Sequence, residues 1–367
     1  MVGRRDILMP IAAFIAATAV AATCAWIAGY DPLDADNWSR WDSIHYLSIA
    51  TSGYVDTTTD CPSSKAVCEH AGWLPGYSAF LAVPFKLGLP HTGSAVLISW
   101  AFCLATLVLL WRRFPLPESL EGRMAVATYA AFVPGYIYMH TVFPLSLLTL
   151  LVLTAVLLLE RGRWVLGALA GAGAAVTYPL GILMAPITAL WLLFDRGGGA
   201  LTARLGRAAL GGAIVVAGFG AALLAAGLWN GDYFGYFEAQ AHALRDPVSG
   251  VIHEVRDALA PERDTLEGAR AAQALLTAAI AGVVVFAFVF RRDRIKPLDV
   301  LAGSYALAIW VLPLTQVSLS LYRSNAALIT AAPLLRHVPP MVRWSIAGGC
   351  VLVAVPMTVL FFRGAII

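Results

Sequence analysis

Long apolar segments, each separated from the next by a polar stretch, are the feature that most limits how this chain can fold. The first runs without a charged residue from Ile7 to Gly29 and follows Arg4 and Arg5. Such a run can cross a bilayer, since about 20 helical residues span the hydrocarbon core. Only 13% of the 367 residues are charged and the mean hydropathy is +0.75, which excludes an ordinary soluble domain. The sequence therefore predicts an all-α polytopic membrane protein.

Basic residues orient these segments, because arginine and lysine gather at cytoplasmic helix ends. A cleaved signal peptide is the alternative for the first run, but that run is longer than a typical signal core. If Trp73–Leu89 spanned the membrane, Arg112 and Arg113 would lie outside; if it lies at the outer interface or re-enters, every later basic cluster lies inside. The second interpretation gives eleven predicted spans: Ile7–Gly29, Ser94–Leu110, Met124–Met139, Phe143–Leu159, Trp164–Tyr178, Leu180–Phe194, Leu210–Trp229, Ala271–Phe290, Leu298–Leu314, Leu328–Leu335 and Ile346–Phe362.

This topology leaves two large outer loops, residues 30 to 93 and 230 to 270, within one integral membrane domain of residues 1–367. We expect the loops to meet over the helices and form an extracytoplasmic cap on an active site. The net charge of +3 is too small to indicate a nucleic-acid partner. Cys61 and Cys68 lie in the first loop, where an oxidising exterior favours a disulfide between them. A metal pair is less favoured, because their spacing matches no common zinc pattern.

The segment Arg40–Tyr54, RWDSIHYLSIATSGY, is predicted to form a helix lying on the outer membrane surface. Helical spacing places Trp41, Ile44, His45 and Ser48 on one face and Asp42, Tyr46 and Ile49 on the next. The Asp42 carboxylate can then face a substrate. Equally, Asp42 can cap the start of this helix, since aspartate is a preferred N-cap residue.

This segment resembles the signature of the PIG-V family, the GPI mannosyltransferase II relatives of the GT-C glycosyltransferase superfamily, in which RWD-x-x-HY-x-x-IA-x-x-GY follows the first membrane helix. LPGYS at 74–78 is similar to a weakened form of the family's Phe-Pro-x-Tyr-Pro motif. Two later stretches are similar to family patterns, at Phe237, Gln240 and Arg245 and at the pair Tyr322 and Arg323. The chain departs from the family at Leu145, where relatives carry glutamate, and at Tyr178, where relatives carry arginine.

The resemblance implies a GT-C-like bundle of about 11 transmembrane helices with interfacial helices in the first outer loop. It also implies a mannosyltransferase that moves a sugar from a polyprenyl-phosphate donor to an acceptor hydroxyl, with inversion, on the outer face of a bacterial cytoplasmic membrane. The expected partners are that donor, a glycolipid, glycan or protein acceptor, and membrane lipids. The excess of arginine over lysine indicates a GC-rich bacterial genome, in keeping with the family's many actinobacterial members.

Such a transfer needs a base for the acceptor hydroxyl and a cation for the leaving phosphate. We predict Asp42 as the base and Arg323 as the phosphate partner, because a guanidinium near the end of an apolar helix is unfavourable without an anion. Alternatively, Arg323 extends to the lipid headgroups. The other predicted substrate-binding residues are Arg40, Trp41, His45, Tyr46, Tyr77, His140, Gln240, Arg245 and Tyr322. The competing interpretation is contact with lipid headgroups for Arg40, packing for His45, a structural or solvated position for His140, and an interfacial aromatic belt for Tyr77.

No cofactor is predicted, and a divalent metal is not favoured because the second outer turn has no acidic residue. The competing function is non-catalytic: an accessory subunit, or a transporter or flippase of lipid-linked sugars. A transporter should carry ionisable groups midway through several spans, whereas this chain has nearly all of them at span ends and in loops. The departures at Leu145 and Tyr178 leave the accessory role open.

Overall fold

A computed structural model describes residues 7–54, 70–194, 199–241, 265–315 and 321–366, without the side chains of 241, 265–267, 312–315 and 321–322. Within these ranges the chain forms helices and no strands. In chain order the helices are α1 (Leu8–Ile27), the 3-10 helix η1 (Ala35–Trp38), α2 (Ser43–Ser52), α3 (Pro75–Lys86), α4 (His91–Arg113), α5 (Leu120–Ala131), α6 (Ile137–His140), α7 (Leu145–Glu160), α8 (Trp164–Thr177), η2 (Pro179–Leu183), α9 (Met184–Phe194), α10 (Leu201–Asn230), α11 (Gly235–Ala241), α12 (Thr265–Phe290), α13 (Pro297–Thr315), α14 (Leu321–Ser324), η3 (Asn325–His337) and α15 (Pro340–Phe362).

Five of these described helices, α1, α4, α10, α12 and α15, are long and apolar enough to cross a membrane. The fold is therefore that of an all-α membrane protein, as the sequence predicts. Four further apolar stretches form shorter helices: α7, α8, the pair η2 and α9, and α13. A core of buried side chains from both groups runs through the bundle.

The predicted span Met124–Met139 is wrong as a continuous helix. Helix α5 ends at Ala131, and the chain turns before the single-turn helix α6. Pro134 has no backbone N–H to donate, and Gly135 has a φ of +82°, a conformation that few other residues adopt. These two residues break the helix within an otherwise apolar run.

The predicted span Leu328–Leu335 is part of the 3-10 helix η3. Eight residues in an α-helix rise only about 12 Å. The thirteen residues of η3 rise about 26 Å, because a 3-10 helix advances ~2.0 Å per residue. Every side chain from Ala326 to Leu335 is buried. Runs of 3-10 helix this long are uncommon, and this one passes through the interior of the bundle.

Helix α3 has twelve residues and rises about 18 Å, which is short of the ~30 Å hydrocarbon core. This length fits the interpretation that Trp73–Leu89 does not span the membrane. The described parts of the two predicted outer loops contact each other, since the Gln240 side chain donates a hydrogen bond of 3.1 Å to the Gly72 carbonyl. Gly53, with a φ of +80°, lies so close to the Trp229 indole that a Cβ at this position would overlap it.

The glycines of α8 permit close helix packing. A Cβ added at Gly171 would lie 3.0 Å from the Val215 side chain of α10, and one at Gly167 would lie 2.8 Å from Leu159 of α7. Small residues at such contacts let helix backbones approach. These glycines therefore let α8 pack closely against α7 and α10.

Candidate active site

Asp42 occupies the N-cap position of α2, but its side chain makes no capping hydrogen bond. Its Oδ2 instead accepts a hydrogen bond from Nη1 of Arg323, 281 positions later in the chain. The Asp42 side chain is 20% exposed and that of Arg323 is 10% exposed. The capping alternative is therefore wrong, and Arg323 pairs with a carboxylate inside the protein. Two residues predicted separately form one ion pair.

A short, strained turn positions Asp42. The Ser43 hydroxyl donates a hydrogen bond of 2.7 Å to the Arg40 carbonyl and accepts one of 3.1 Å from the Arg40 N–H. Between them Trp41 has a φ of +54°, a left-handed conformation that costs a non-glycine residue about 1–3 kcal/mol. Such strain persists only when the surrounding structure holds it, so the direction of the Asp42 side chain is fixed by its neighbours.

Aromatic rings enclose the guanidinium of the pair. The Phe143 ring centroid lies 5.8 Å from Cζ of Arg323, within the range of a cation–π contact. Phe143 also contacts Tyr138 and Tyr46, with ring centroids 5.0 and 6.4 Å away. Burial lowers the pKa of Arg323, but the Asp42 carboxylate and the nearby tyrosine hydroxyls together raise it by more, so the net pKa is above its ordinary value. The guanidinium is therefore charged.

Arg40 and Trp41 carry polar atoms that the described residues leave unused. The Arg40 guanidinium lies 4.2 Å above the Tyr30 ring. Its Nε and Nη2, and the Trp41 Nε1, are buried without a hydrogen-bond partner in the described part of the chain. Unpaired buried donors are unfavourable and usually have a water or ligand partner. These three donors precede Asp42 directly in the sequence.

His45 lies one turn into α2 and packs flat on Trp73, with ring centroids 3.4 Å apart. Its Nδ1 is 2.7 Å from Nδ1 of His70, so one of these nitrogens donates and the other accepts. Burial, and then His70, lower the pKa of His45 to about 4, while Asp42 acts in the opposite direction. His45 is thus neutral at physiological pH, and this nitrogen bonds to a histidine, not to Asp42.

The positions of Tyr77 and His140 do not suit the predicted contact with substrate. Tyr77 is 0% exposed, and its hydroxyl is 2.6 Å from that of Ser99. His140 is 1% exposed and stacks on Phe14, with ring centroids 5.5 Å apart. Both side chains are therefore packing residues of the bundle. Each is buried among apolar side chains and has a polar partner within the protein.

Other predicted residues are distributed as follows. Tyr46 is buried, and the Ser78 hydroxyl donates a hydrogen bond of 2.9 Å to its backbone carbonyl. Gln240 joins the two outer segments through Gly72. The predicted residue Arg245, the side chain of Tyr322 and the predicted disulfide partners Cys61 and Cys68 lie outside the described parts.

The two positions where the chain departs from the family pattern lie close to the ion pair. Tyr178 is near enough to influence Arg323 electrostatically, and Leu145, which is 0% exposed, follows Phe143 by two positions. Sequence reasoning missed Phe143 and Tyr138 as neighbours of Arg323. The sequence signal for Phe143 is its place in the stretch VFPLS at 142–146, two residues before Leu145.

Among the residues that the structure describes, no group of three or more His, Cys, Asp or Glu side chains comes together to hold a metal ion. Asp31 and Asp34 accept backbone hydrogen bonds from residues two positions later. No protein-family model and no curated protein matches this chain. The case for a function therefore rests on the sequence motif and on the geometry around Asp42.

Proposed function

We propose that this protein is an inverting GT-C type membrane glycosyltransferase of the PIG-V kind, a mannosyltransferase that uses a polyprenyl-phosphate sugar at the outer face of the membrane. The observation that carries the proposal is the hydrogen-bonded pair of Asp42 and Arg323. Asp42 belongs to the segment that resembles the family signature, and Arg323 belongs to the late pattern that resembles its Tyr/Arg pair.

The pair brings together the two groups that this reaction needs. The Asp42 carboxylate takes the proton of the acceptor hydroxyl as that oxygen bonds to the anomeric carbon. The bond from this carbon to the phosphate oxygen breaks, and the lipid phosphate leaves with the bonding electrons. Arg323 stabilises the charge that gathers on the phosphate. One displacement at the anomeric carbon inverts its configuration.

The buried donors of Arg40 and Trp41 suit the same substrate. A sugar phosphate offers several acceptor oxygens, and a guanidinium can bind two of them at once. The partial exposure of Asp42, 20% of its side chain, leaves room for an acceptor hydroxyl to approach the carboxylate.

The test must separate catalysis from the loss of an ion pair. Asp42→Asn leaves the Arg323 charge without its partner, and we expect it to lower stability by roughly 1–3 kcal/mol, less than the ~3–5 kcal/mol of a fully buried pair. The double variant Asp42→Asn/Arg323→Gln removes both charges and should regain part of that stability. Both variants should transfer labelled mannose from polyprenyl-phosphate mannose to a bacterial membrane-lipid extract roughly 10²–10⁴-fold more slowly than wild type.

The matched control is Asp299→Asn/Arg336→Gln, which neutralises another buried ion pair of the chain. We expect it to lower the thermal midpoint while the folded fraction keeps its transfer rate. Near wild-type transfer by Asp42→Asn would overturn the role of Asp42. Absence of transfer by the well-folded wild-type protein would instead favour the accessory subunit.

A further inference from the structure

A second charged cluster lies at the far end of η3 from Arg323. The Asp299 side chain is 0% exposed and accepts hydrogen bonds from both terminal nitrogens of Arg336. It also accepts one of 2.8 Å from the Lys296 N–H and lies 3.3 Å from Nε2 of His337. Since η3 rises about 26 Å, this cluster is separate from the Asp42 site.

A cleft of about 510 Å³ opens beside this cluster. Its walls come from three connections: the one between α4 and α5, the one between α12 and α13, and the one between η3 and α15. The residues that line it are Pro115, Leu116, Pro117, Glu118, Arg291, Arg294, Lys296, Arg336, His337, Val338 and Pro339. Four of these carry a positive charge and one carries a carboxylate. The volume is that of a small-molecule site.

The four cations have different roles in the wall. Arg336 is held in place by the protein, because its Nη1 also donates to the carbonyls of Pro115 and Pro333 at 3.2 Å. Asp299 therefore holds one of the lining arginines, Arg336, in position. Arg291 packs against the Phe286 ring at 5.8 Å, and Arg294 lies 3.9 Å from Asp293 in an exposed pair worth little energy. Arg291, Arg294 and Lys296 also line the cleft, so their three positive charges are available to an anion bound there.

We propose that this cleft is a binding site for a phosphate group, carried by an anionic phospholipid or present as free phosphate. Guanidinium and ammonium groups are the usual partners of phosphate oxygens, and basic pockets between membrane helices bind anionic headgroups. The prolines, Leu116 and Val338 add apolar walls that suit the glycerol and first methylenes of a lipid. Orientation in the membrane requires only basic residues at one end; it does not require a concave site in which a buried carboxylate holds one of the lining arginines.

The experiment titrates purified protein with phosphatidylglycerol, with phosphatidylcholine of the same acyl chains, and with inorganic phosphate. Native mass spectrometry measures the bound lipid, and a thermal-shift assay measures the binding of phosphate. We expect phosphatidylglycerol to bind more tightly than phosphatidylcholine. Arg291→Gln/Lys296→Gln should weaken phosphatidylglycerol binding by roughly tenfold or more, given the contribution of each basic residue near anionic lipid. The matched control Arg161→Gln/Arg163→Gln removes the same charge from exposed residues that do not line the cleft, and its binding should stay within about twofold of wild type.

Each outcome decides the proposal. Selective loss of phosphatidylglycerol binding in the cleft variant assigns the site to a lipid headgroup. Saturable binding of inorganic phosphate, lost in the same variant, assigns it to free phosphate. If wild type binds phosphatidylglycerol no better than phosphatidylcholine and does not bind phosphate, the proposal is wrong, whatever the variants do. Equal weakening in the cleft and control variants would also overturn it, because general surface charge would then explain the binding.

Discussion

The His45 imidazole is neutral because it is partly buried and shares a hydrogen bond with His70. Its pKa falls from the ordinary value of 6.5 to about 4. The unfolded chain therefore takes up a proton at this residue at a higher pH than the folded protein does. The stability that the neutral ring contributes is present above pH 6.5 and is lost as the pH falls towards 4.

We therefore expect the thermal midpoint of the wild-type protein in detergent to fall between pH 6.5 and about 4. His45→Phe keeps a flat ring for Trp73 to stack on but removes the titrating group, so its midpoint should fall less over the same range. The loss of the hydrogen bond to His70 lowers the midpoint of this variant at neutral pH as well. Parallel pH profiles for the two proteins would contradict this explanation.

Asp42 and Arg323 could be predicted as site residues from the sequence. Each is an ionisable group beside an apolar segment, where a charge is unfavourable unless it has a partner or a function. Their pairing could not be predicted in the same way. The two lie 281 positions apart, and their meeting depends on how the start of α2 and the short helix α14 are brought together. For Tyr77 and His140 the sequence does not distinguish a substrate-binding residue from a core residue. An aromatic or histidine residue near a predicted span end can belong to either class.

The 3-10 helix η2 brings the chain from α8 into α9 and follows directly on Tyr178. A Cβ built at Gly181 would overlap the backbone of Ala174. Backbone atoms cannot rotate away as a flexible side chain can, so Gly181→Ala must displace η2 from α8. We expect a loss of about 1–3 kcal/mol in stability, measured as a lower thermal midpoint.

The control for this element is Gly282→Ala in α12, where a Cβ would meet nothing within 4 Å. Alanine there should leave the midpoint unchanged or raise it, because it favours the helix by up to about 1 kcal/mol over glycine. Similar losses in both variants would show that glycine as such, and not the close contact at Ala174, determines the effect.

Element types in this chain could be predicted where apolar length decides them, as for α1, α4 and α15. The 3-10 geometry of η3 could not, because Ala, Leu and Ile at its positions suit an α-helix equally. The tertiary surroundings of this buried segment, which the sequence does not display, contribute to the choice between the two helix types. The break after Ala131 could be predicted, because Pro134 and Gly135 are both residues that interrupt helices.

At the scale of the whole molecule, the two ion pairs lie at the two ends of η3. The Asp42 pair belongs to the end where the two predicted outer loops meet, and the Asp299 pair belongs to the end that carries the basic connections. This separation agrees with the proposal of sugar transfer at one membrane face. The assignment of the two proposed sites to opposite sides of the membrane therefore depends on the predicted orientation of the bundle.

Helix α10 tests that orientation directly, because one continuous helix joins the two predicted sides. Its thirty residues rise about 45 Å, more than the ~30 Å hydrocarbon core. Arg204 and Arg207 lie in its first two turns, so we predict that this end is cytoplasmic. The test uses a variant whose native cysteines are replaced. In it, Ala200→Cys should resist an impermeant thiol reagent in intact cells and react after permeabilisation. Phe234, whose side chain is 71% exposed, lies on the predicted outer side, so Phe234→Cys should react in intact cells and in permeabilised ones. Labelling of both positions in intact cells, or of Ala200→Cys alone, would disprove the orientation and with it the placement of Asp42 on the outer face.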